Sequence, residues 1–508
     1  MHPVRLGLQP DRLARAARAA RGHCGPRGAR LPPFLREDPP VRMTLGFYGS
    51  SETPTGAMQM LAFEGFNILL DCGLFEGRRQ EAERRNLELP FEPSRLHSVV
   101  LTHAHLAHCG NLPNLVRQGF GGAVFATRAT QNLCGALLRD TAYMGEHDVE
   151  ELNARRAADG LQSLDPLHTM EDAERSLYHF NGLSYHRAFH ILRDVRCAFF
   201  DAGHLLGSAL AVLDVKTFDG EHRVVYAGDL GRSQMPFLRN PEVPTDVNTL
   251  VVGAACGGKR LAGLDRARTE LLALATDVFE QGGKIIIPDF SFGAALRILH
   301  LLLDLWDGKE LSRAPVYIDS PLSVNVAELF RHHSDCYDAV TRTRILKEHD
   351  PFGFGRLQYV RGLAQSEELA ASDQPRVVVA PTGSCETGVV LRHLRHALAD
   401  PRHLVLLADR PPKNTLARRL ADGEQAARIL DEEVEVRART VVLEDLGGHA
   451  DQDEILNFVH LVSAESRNLR NIFVVHGEPD QRSALAERIS REIGIEPTIP
   501  TEGSAYEI

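Results

Sequence analysis

Short apolar runs, each closing on a polar residue with glycine close by, recur along the chain. Asn67-Ile68-Leu69-Leu70 runs into Asp71-Cys72-Gly73, and Val224-Val225-Tyr226 into Ala227-Gly228-Asp229. Ile472-Phe473-Val474-Val475 runs into His476-Gly477, and Ser98-Val99-Val100-Leu101 into Thr102-His103. Apolar runs of this length, bounded by turn residues, predict buried strands whose ends hold polar side chains on a rigid rim. From Met43 to about Met235 such strands alternate with polar turns, and Arg139 to Ala173 reads as one connecting helix. From about Pro236 to Leu430 the pattern becomes strand, loop, helix. Lys284-Ile285-Ile286-Ile287 leads into a helix from Gly293, and Pro315-Val316-Tyr317-Ile318 leads into Asp319-Ser320-Pro321-Leu322. Arg376 to Ala380 leads through Gly383 and Gly388 into Leu391-Arg392-His393-Leu394. Such alternation predicts a parallel α/β layer with its sites at the C-terminal strand ends. Ser320, Thr382 and Gly383 occupy those ends and are the candidate substrate-binding positions.

Composition narrows the picture little. The 508 residues suffice for two to four domains, and 43% hydrophobic with 25% charged is ordinary for a soluble protein. No apolar run approaches ~18 residues, so no membrane span is expected. Eight cysteines without Cys-x-x-Cys spacing argue against a disulfide framework and fit a reducing, cytoplasmic compartment. A net charge of −11 removes any whole-surface attraction to nucleic acid, so RNA binding needs a local basic groove. Residues 1–42 differ, with nine Arg against three acids. They read as a disordered basic extension or a start placed too early, with a targeting peptide as the alternative.

The chemistry concentrates in Leu-Thr-His-Ala-His-Leu-Ala-His-Cys-Gly at residues 101–110. Imidazole is the commonest ligand for zinc-like metals. His103 and His105, two apart in an extended segment, project to the same side, whereas His108 lies where the loop turns helical and faces elsewhere. Three histidines aimed in two directions suggest two adjacent metals. Asp71, His204, Asp229, His449 and His476 are the further ligand-type residues, most of them at strand ends beside glycine.

The decamer resembles the metal-binding signature Thr-His-x-His-x-Asp-His-x-Gly of the metallo-β-lactamase superfamily. Its ligand motifs bracket the strand–loop–helix stretch, a layout similar to the β-CASP branch of that superfamily, whose members act on nucleic acids. The similarity runs from Met43 to Ile508, including Asp350-Pro351-Phe352-Gly353-Phe354 and Asp400-Pro401-Arg402, and looks most like the bacterial and archaeal relatives of the pre-mRNA 3′-end cleavage endonuclease. The resemblance implies an αββα metallo-β-lactamase sandwich (43–235 and 433–508) interrupted by a parallel α/β β-CASP domain (236–432). It implies one zinc on His103, His105 and His204, and a second on His108 and His476, with Asp229 bridging and Asp71 orienting the cluster. It assigns His449 to the leaving oxygen and implies single-stranded RNA as partner, with manganese as a possible alternative metal.

The departures matter equally. The family carries an aspartate where this chain has Ala107, and methyl cannot bind a metal. The acid that pairs with the counterpart of His449, placed on the inserted domain, belongs to Glu-Ser-Thr-Tyr-Gly, which here becomes Gly253-Ala254-Ala255-Cys256-Gly257. A Gly-Arg-x-Gln helix start becomes Gly293-Ala294-Ala295-Leu296, a Ser-Gly-Met turn becomes Thr382-Gly383-Ser384, and a Gly-Tyr-Gln loop becomes Ala408-Asp409-Arg410-Pro411-Pro412. The first zinc is therefore expected to bind and the second to be weak. Three readings follow: a β-CASP metal-dependent ribonuclease, intact or impaired; a degenerate RNA-binding or scaffold subunit, forming a homodimer or pairing with an active relative; and a single-zinc hydrolase of another phosphodiester or ester.

Overall fold

The computed structural model describes residues 43–218, 220–289, 293–320, 326–347, 354–430 and 432–508. The basic extension 1–42, the segment 350–353 and Pro321-Leu322 lie outside the described residues. Three sheets position the site. The first has the order β21-β1-β2-β3-β4-β5-β6, from β1 (Met43–Gly49), β2 (Met58–Phe63), β3 (Phe66–Leu70), β4 (Ser98–Val100), β5 (Ala123–Thr127), β6 (Phe180–Leu183) and the last strand, β21 (Ala505–Glu507). The second has the order β20-β11-β10-β9-β8-β7, from β7 (Phe189–Leu192), β8 (Val195–Asp201), β9 (Ala209–Thr217), β10 (Gly220–Tyr226), β11 (Thr249–Gly253) and β20 (Asn471–Val475).

Alternation along these strands explains the layering. Leu210, Val212, Val225, Leu250 and Val252 pack with Ile455, Phe458, Val459 and Leu485 of the helices Gln452–Ala464 and Pro479–Ile493. The opposite face of β10 presents Tyr226, whose hydroxyl reaches the first sheet, donating to Gln59 (2.7 Å) and Asp71 (3.1 Å). On its outer face the first sheet packs Leu69, Val99 and Val124 with Leu112, Leu115, Leu133 and Leu137 of its own helices. The result is helix, sheet, sheet, helix.

The third sheet has the order β14-β13-β15-β12-β16-β19 and is parallel throughout. Its strands are β12 (Lys284–Pro288), β13 (Val316–Asp319), β14 (Gln358–Val360), β15 (Arg376–Ala380), β16 (Leu404–Leu407) and β19 (Arg439–Val442); β17 (Ala426–Ile429) and β18 (Glu432–Glu435) form a separate hairpin. Ile285 and Ile287 face Leu299 and Leu302 of the helix Ala294–Asp307, while Ile286, Val378 and Val405 face Val390 and Leu394 of the helix Val390–Ala397. Burial on both faces is why these strands read as continuous apolar runs.

Two sequence boundaries shift. β11 follows residue 235 yet joins the second sheet, because it pairs in parallel with both β10 and β20. β19 follows residue 432 yet joins the third, pairing in parallel with β16. The single helix expected over Arg139–Ala173 is two, Arg128–Ala158 and Met170–Leu177. Gly160 takes a left-handed φ of +68° after the first, and Thr169 and Asp172 form a capping box that starts the second.

Candidate metal centre and cleft

Asp229, just past β10, is the hub. Its Oδ2 lies 3.6 Å from His103 Nε2, 3.2 Å from His108 Nε2 and 3.9 Å from His204 Nε2, and its Oδ1 lies 3.2 Å from His476 Nε2. Two buried groups share it: His103, His204 and Asp229, and His108, Asp229 and His476, each with ligand atoms within 4.8 Å of one another. Each imidazole is held from behind through Nδ1, by Thr102 Oγ1 for His103 (3.0 Å), Asp71 Oδ2 for His108 (2.8 Å), the Gly448 carbonyl for His204 (3.1 Å) and Ser50 Oγ for His476 (3.1 Å). Asp71 also accepts from the Thr102 backbone (2.7 Å) and hydroxyl, and from Tyr226.

Nitrogens fixed on the far side and converging Nε2 atoms are what metal ligation requires. His103 Nε2, His108 Nε2 and Asp229 Oδ1 are buried without a hydrogen-bond partner, which a buried polar atom avoids unless something else satisfies it. This donor set fits two divalent ions. Asp71 and His476 both adopt left-handed φ (+62° and +49°), a strain of about 1–3 kcal/mol each that persists where the surroundings enforce it.

The electrostatics agree. Burial, reinforced by neighbouring imidazoles, holds His103 and His204 well below the usual histidine range. It brings His105 to about 4 and His476 to about 3. Burial also opposes charge on His108, but Asp229 and Asp71 on either side outweigh it and push its pKa up to about 10. For Asp229, burial is outweighed by His476, His108 and His449, so its carboxyl sits well below the usual range.

Three of the residues singled out from sequence lie apart from these groups or in another setting. His105 joins neither group: it caps the short helix Leu106–Cys109, and its Nδ1 accepts the Ala107 N–H at 3.2 Å. Ser320 does not line the cleft, because its buried hydroxyl donates to Asp140 at 3.0 Å. Gly253 lies on β11 beside Asp229, not on the third sheet. A Cβ there would come 2.4 Å from the Gly228 carbonyl and 3.3 Å from Asp229 Oδ1, so backbone packing demands glycine.

The metal groups open into a cleft of about 740 Å³, lined by the ends of the second and third sheets. Thr382 and Gly383 line it, as does His449, whose ring lies 4.5 Å from that of His204 and whose Nδ1 is 3.9 Å from Asp229 Oδ2. Two residues of the wall were not singled out from sequence. Asp409 follows β16. Burial raises its pKa, while His449 and Arg297 pull the other way. Arg297 is buried, donates through Nε to the Leu446 carbonyl at 2.6 Å, and has its pKa lowered by burial. A clue to Arg297 was available: it stands one turn beyond the helix-start position where the resemblance expects an arginine.

Three family descriptions match in chain order. They are the Metallo-beta-lactamase superfamily over residues 59–255, the Beta-Casp domain over 295–420, and the Zn-dependent metallo-hydrolase RNA specificity domain over 433–500. Ribonuclease TTHA0252 of Thermus thermophilus is 33% identical over 444 residues, covering 87% of this chain and 95% of that protein. Transcription termination factor FttA of Methanothermobacter thermautotrophicus is 27% identical, covering 85% of this chain and 66% of its own length. Cleavage and polyadenylation specificity factor 73 of Drosophila melanogaster is 24% identical, covering 85% and 59%. The chain belongs to the β-CASP branch of the metallo-β-lactamase superfamily, with a metallo-β-lactamase fold carrying a β-CASP insertion. None of its described helices is long and apolar enough to cross a membrane.

Proposed function

We propose that this protein is a metal-dependent ribonuclease that hydrolyses phosphodiester bonds of single-stranded RNA in the cleft above Asp229. The observation that carries the reading is the pair of three-ligand groups sharing Asp229, with Nε2 of His103 and His108 and Oδ1 of Asp229 buried and otherwise unsatisfied. Two divalent ions there would polarise a phosphate oxygen and lower the pKa of a bound water. His103, His204 and Asp229 would hold one ion, zinc by the chemistry of the donors; His108, Asp229 and His476 would hold the other. With methyl at Ala107, the second position keeps Asp229 as its one carboxylate and binds more weakly, and manganese is its alternative occupant. Asp71 fixes the tautomer of His108, and Thr102 relays Asp71 to His103. His449, on the cleft side of His204, is placed to give a proton to the leaving oxygen. The seven described cysteines are all free, which fits a cytoplasmic protein.

Two observations favour a second reading, an RNA-binding subunit without robust cleavage. Position 253 cannot hold an acid, and the imidazole of His449 makes no hydrogen bond among the described residues. Such a subunit would form a homodimer or pair with an active relative.

Elemental analysis together with cleavage of a labelled single-stranded RNA tests both readings, on this chain and on Ala107→Asp. The ribonuclease reading expects RNA cleavage by the unmodified chain, and Ala107→Asp to raise metal content toward two per chain. One metal or none, without cleavage in either form, overturns it in favour of the binding subunit.

A further inference from the structure

Five cationic side chains line the cleft: Lys259, Arg297, Arg410, Lys413 and Arg418. Four of them are ion-paired. Lys259 reaches Glu444 at 2.6 Å, Arg410 reaches Asp422 at 3.3 Å, and Lys413 and Arg418 both reach Glu478 at 2.9 Å. Arg297 has no carboxylate within 4.0 Å among the described residues, although it is only 4% exposed and therefore the most deeply buried of the five. Its Nε is committed to the Leu446 carbonyl. The rest of the fork lies against the glycine pair before His449: a Cβ on Gly448 would be 3.0 Å from Arg297 Nη2 and 3.1 Å from His204 Nδ1. Asp409 Oδ1 crowds the other glycine, 2.1 Å from where a Cβ on Gly447 would stand. Glycine at position 448 thus lets the guanidinium come up beside a metal-group histidine.

Asp409 and Asp289 act on the guanidinium only from beyond ion-pair distance. A buried cation without a carboxylate in contact is unfavourable, whereas a buried guanidinium facing a cleft is the usual receptor for a phosphate oxygen. We propose that Arg297 is an anion-binding residue of this cleft, using its free Nη groups to grip a backbone phosphate of the bound RNA beside His204. The proposal rests on the RNA-hydrolase reading. It places the cationic contact one helical turn beyond Ala294, on the helix Ala294–Asp307, and so identifies a residue of this chain that takes up a charge the helix start lacks. A purely structural Arg297 would tie the segment Glu444–Leu446 to the helix and contribute nothing to RNA binding.

The test is binding of a fluorescein-labelled single-stranded RNA to the full chain in EDTA, read by anisotropy across a salt series. Wild type is compared with Arg297→Gln, Arg297→Lys and, as a surface control outside the cleft, Arg491→Gln. Each phosphate contact contributes about 0.7 to the slope of log K against log salt for single strands. The expected result is a slope about 0.7 shallower and weaker binding for Arg297→Gln, partial retention for Arg297→Lys, and no change for Arg491→Gln. Far-UV circular dichroism establishes that each variant is folded. If Arg297→Gln does not fold, Arg297→Lys decides, because loss of the bidentate fork still weakens binding if the proposal holds. Unchanged slope and affinity in a folded Arg297→Gln, with RNA bound by wild type, overturn the proposal and leave the RNA reading standing. If wild type binds no RNA, inorganic phosphate is the probe. A rise in melting temperature in wild type and none in Arg297→Gln supports the anion site with a different phosphate ligand, and no rise in either overturns it.

Discussion

The Nδ1 of His108 lies 2.8 Å from Oδ2 of Asp71, and both residues are buried. With Asp229 on the other face of the ring, His108 is the one imidazole of the cluster that burial does not leave neutral. A proton there does part of the work that a dication does when bound. Metal binding to the second group, as proposed, would therefore displace a proton at neutral pH. Calorimetric titration of the metal-free protein in buffers of different ionisation enthalpy should show about one proton released as that site fills. Asp71→Asn should lower metal affinity about 10–100-fold, the usual effect of losing a group that orients a ligand.

His105 and His103 separate by the same logic. His103 belongs to a three-ligand group, and His105 has its Nδ1 on the Ala107 N–H. His103→Ala should abolish metal at the first position, whereas His105→Ala should lower occupancy by a smaller factor. Elemental analysis after dialysis against limiting zinc distinguishes them; equal loss in both would show that His105 rotates to become a ligand.

Restoring an acid at position 253 should fail. The Cβ of Gly253→Glu would meet the Gly228 carbonyl at 2.4 Å, and overpacking of this kind costs about 1–3 kcal/mol. A lowered denaturation midpoint without any gain in RNA cleavage is the expected outcome.

His449→Ala should reduce kcat about 10²–10⁴-fold, the range for loss of a general acid, while metal content stays that of wild type. Single-turnover cleavage beside elemental analysis reads both quantities. A matched loss of metal would make His449 a ligand instead.

Glu76 sits where the loop after β3 meets Ser384 of the third sheet. Burial pushes its pKa up to about 7, with a hydrogen bond from Ser384 working against the rise. The folded value exceeds the ordinary 4.5, so the folded state binds the extra proton, and stability falls as pH rises from about 4.5 through about 7. Glu76→Gln should therefore melt higher than wild type at pH 8, with the difference vanishing near pH 4.5. A difference independent of pH would show that Glu76 ionises normally in the folded chain.

The sequence by itself determined the class and singled out most of the ligand-type residues that the fold brings together around Asp229. Asp71, His103, His108, His204, Asp229 and His476 follow short apolar runs or stand in one tight motif. A strand end fixes where its next residues point, so the local pattern carries the information. The alternation of strand and helix likewise announced the parallel layer. Tertiary structure decided what depends on approach between distant segments. His105 looked equivalent to His103 by spacing, but the backbone of Ala107 captured its nitrogen when the loop turned into a helix. Gly253 read as a lost catalytic acid, whereas pairing between β11, β10 and β20 brings Gly228 too close for any side chain. Ser320 sat at a promising strand end and was taken by Asp140, on a helix 180 residues earlier. Arg297, on a helix, and Asp409, in the loop after β16, are about a hundred residues apart in sequence and reach the same wall of the cleft only because one packs against Gly448 and the other against Gly447. Spacing along the chain specifies direction within one element; which groups satisfy each other's charges and hydrogen bonds is settled by the packing of elements against one another.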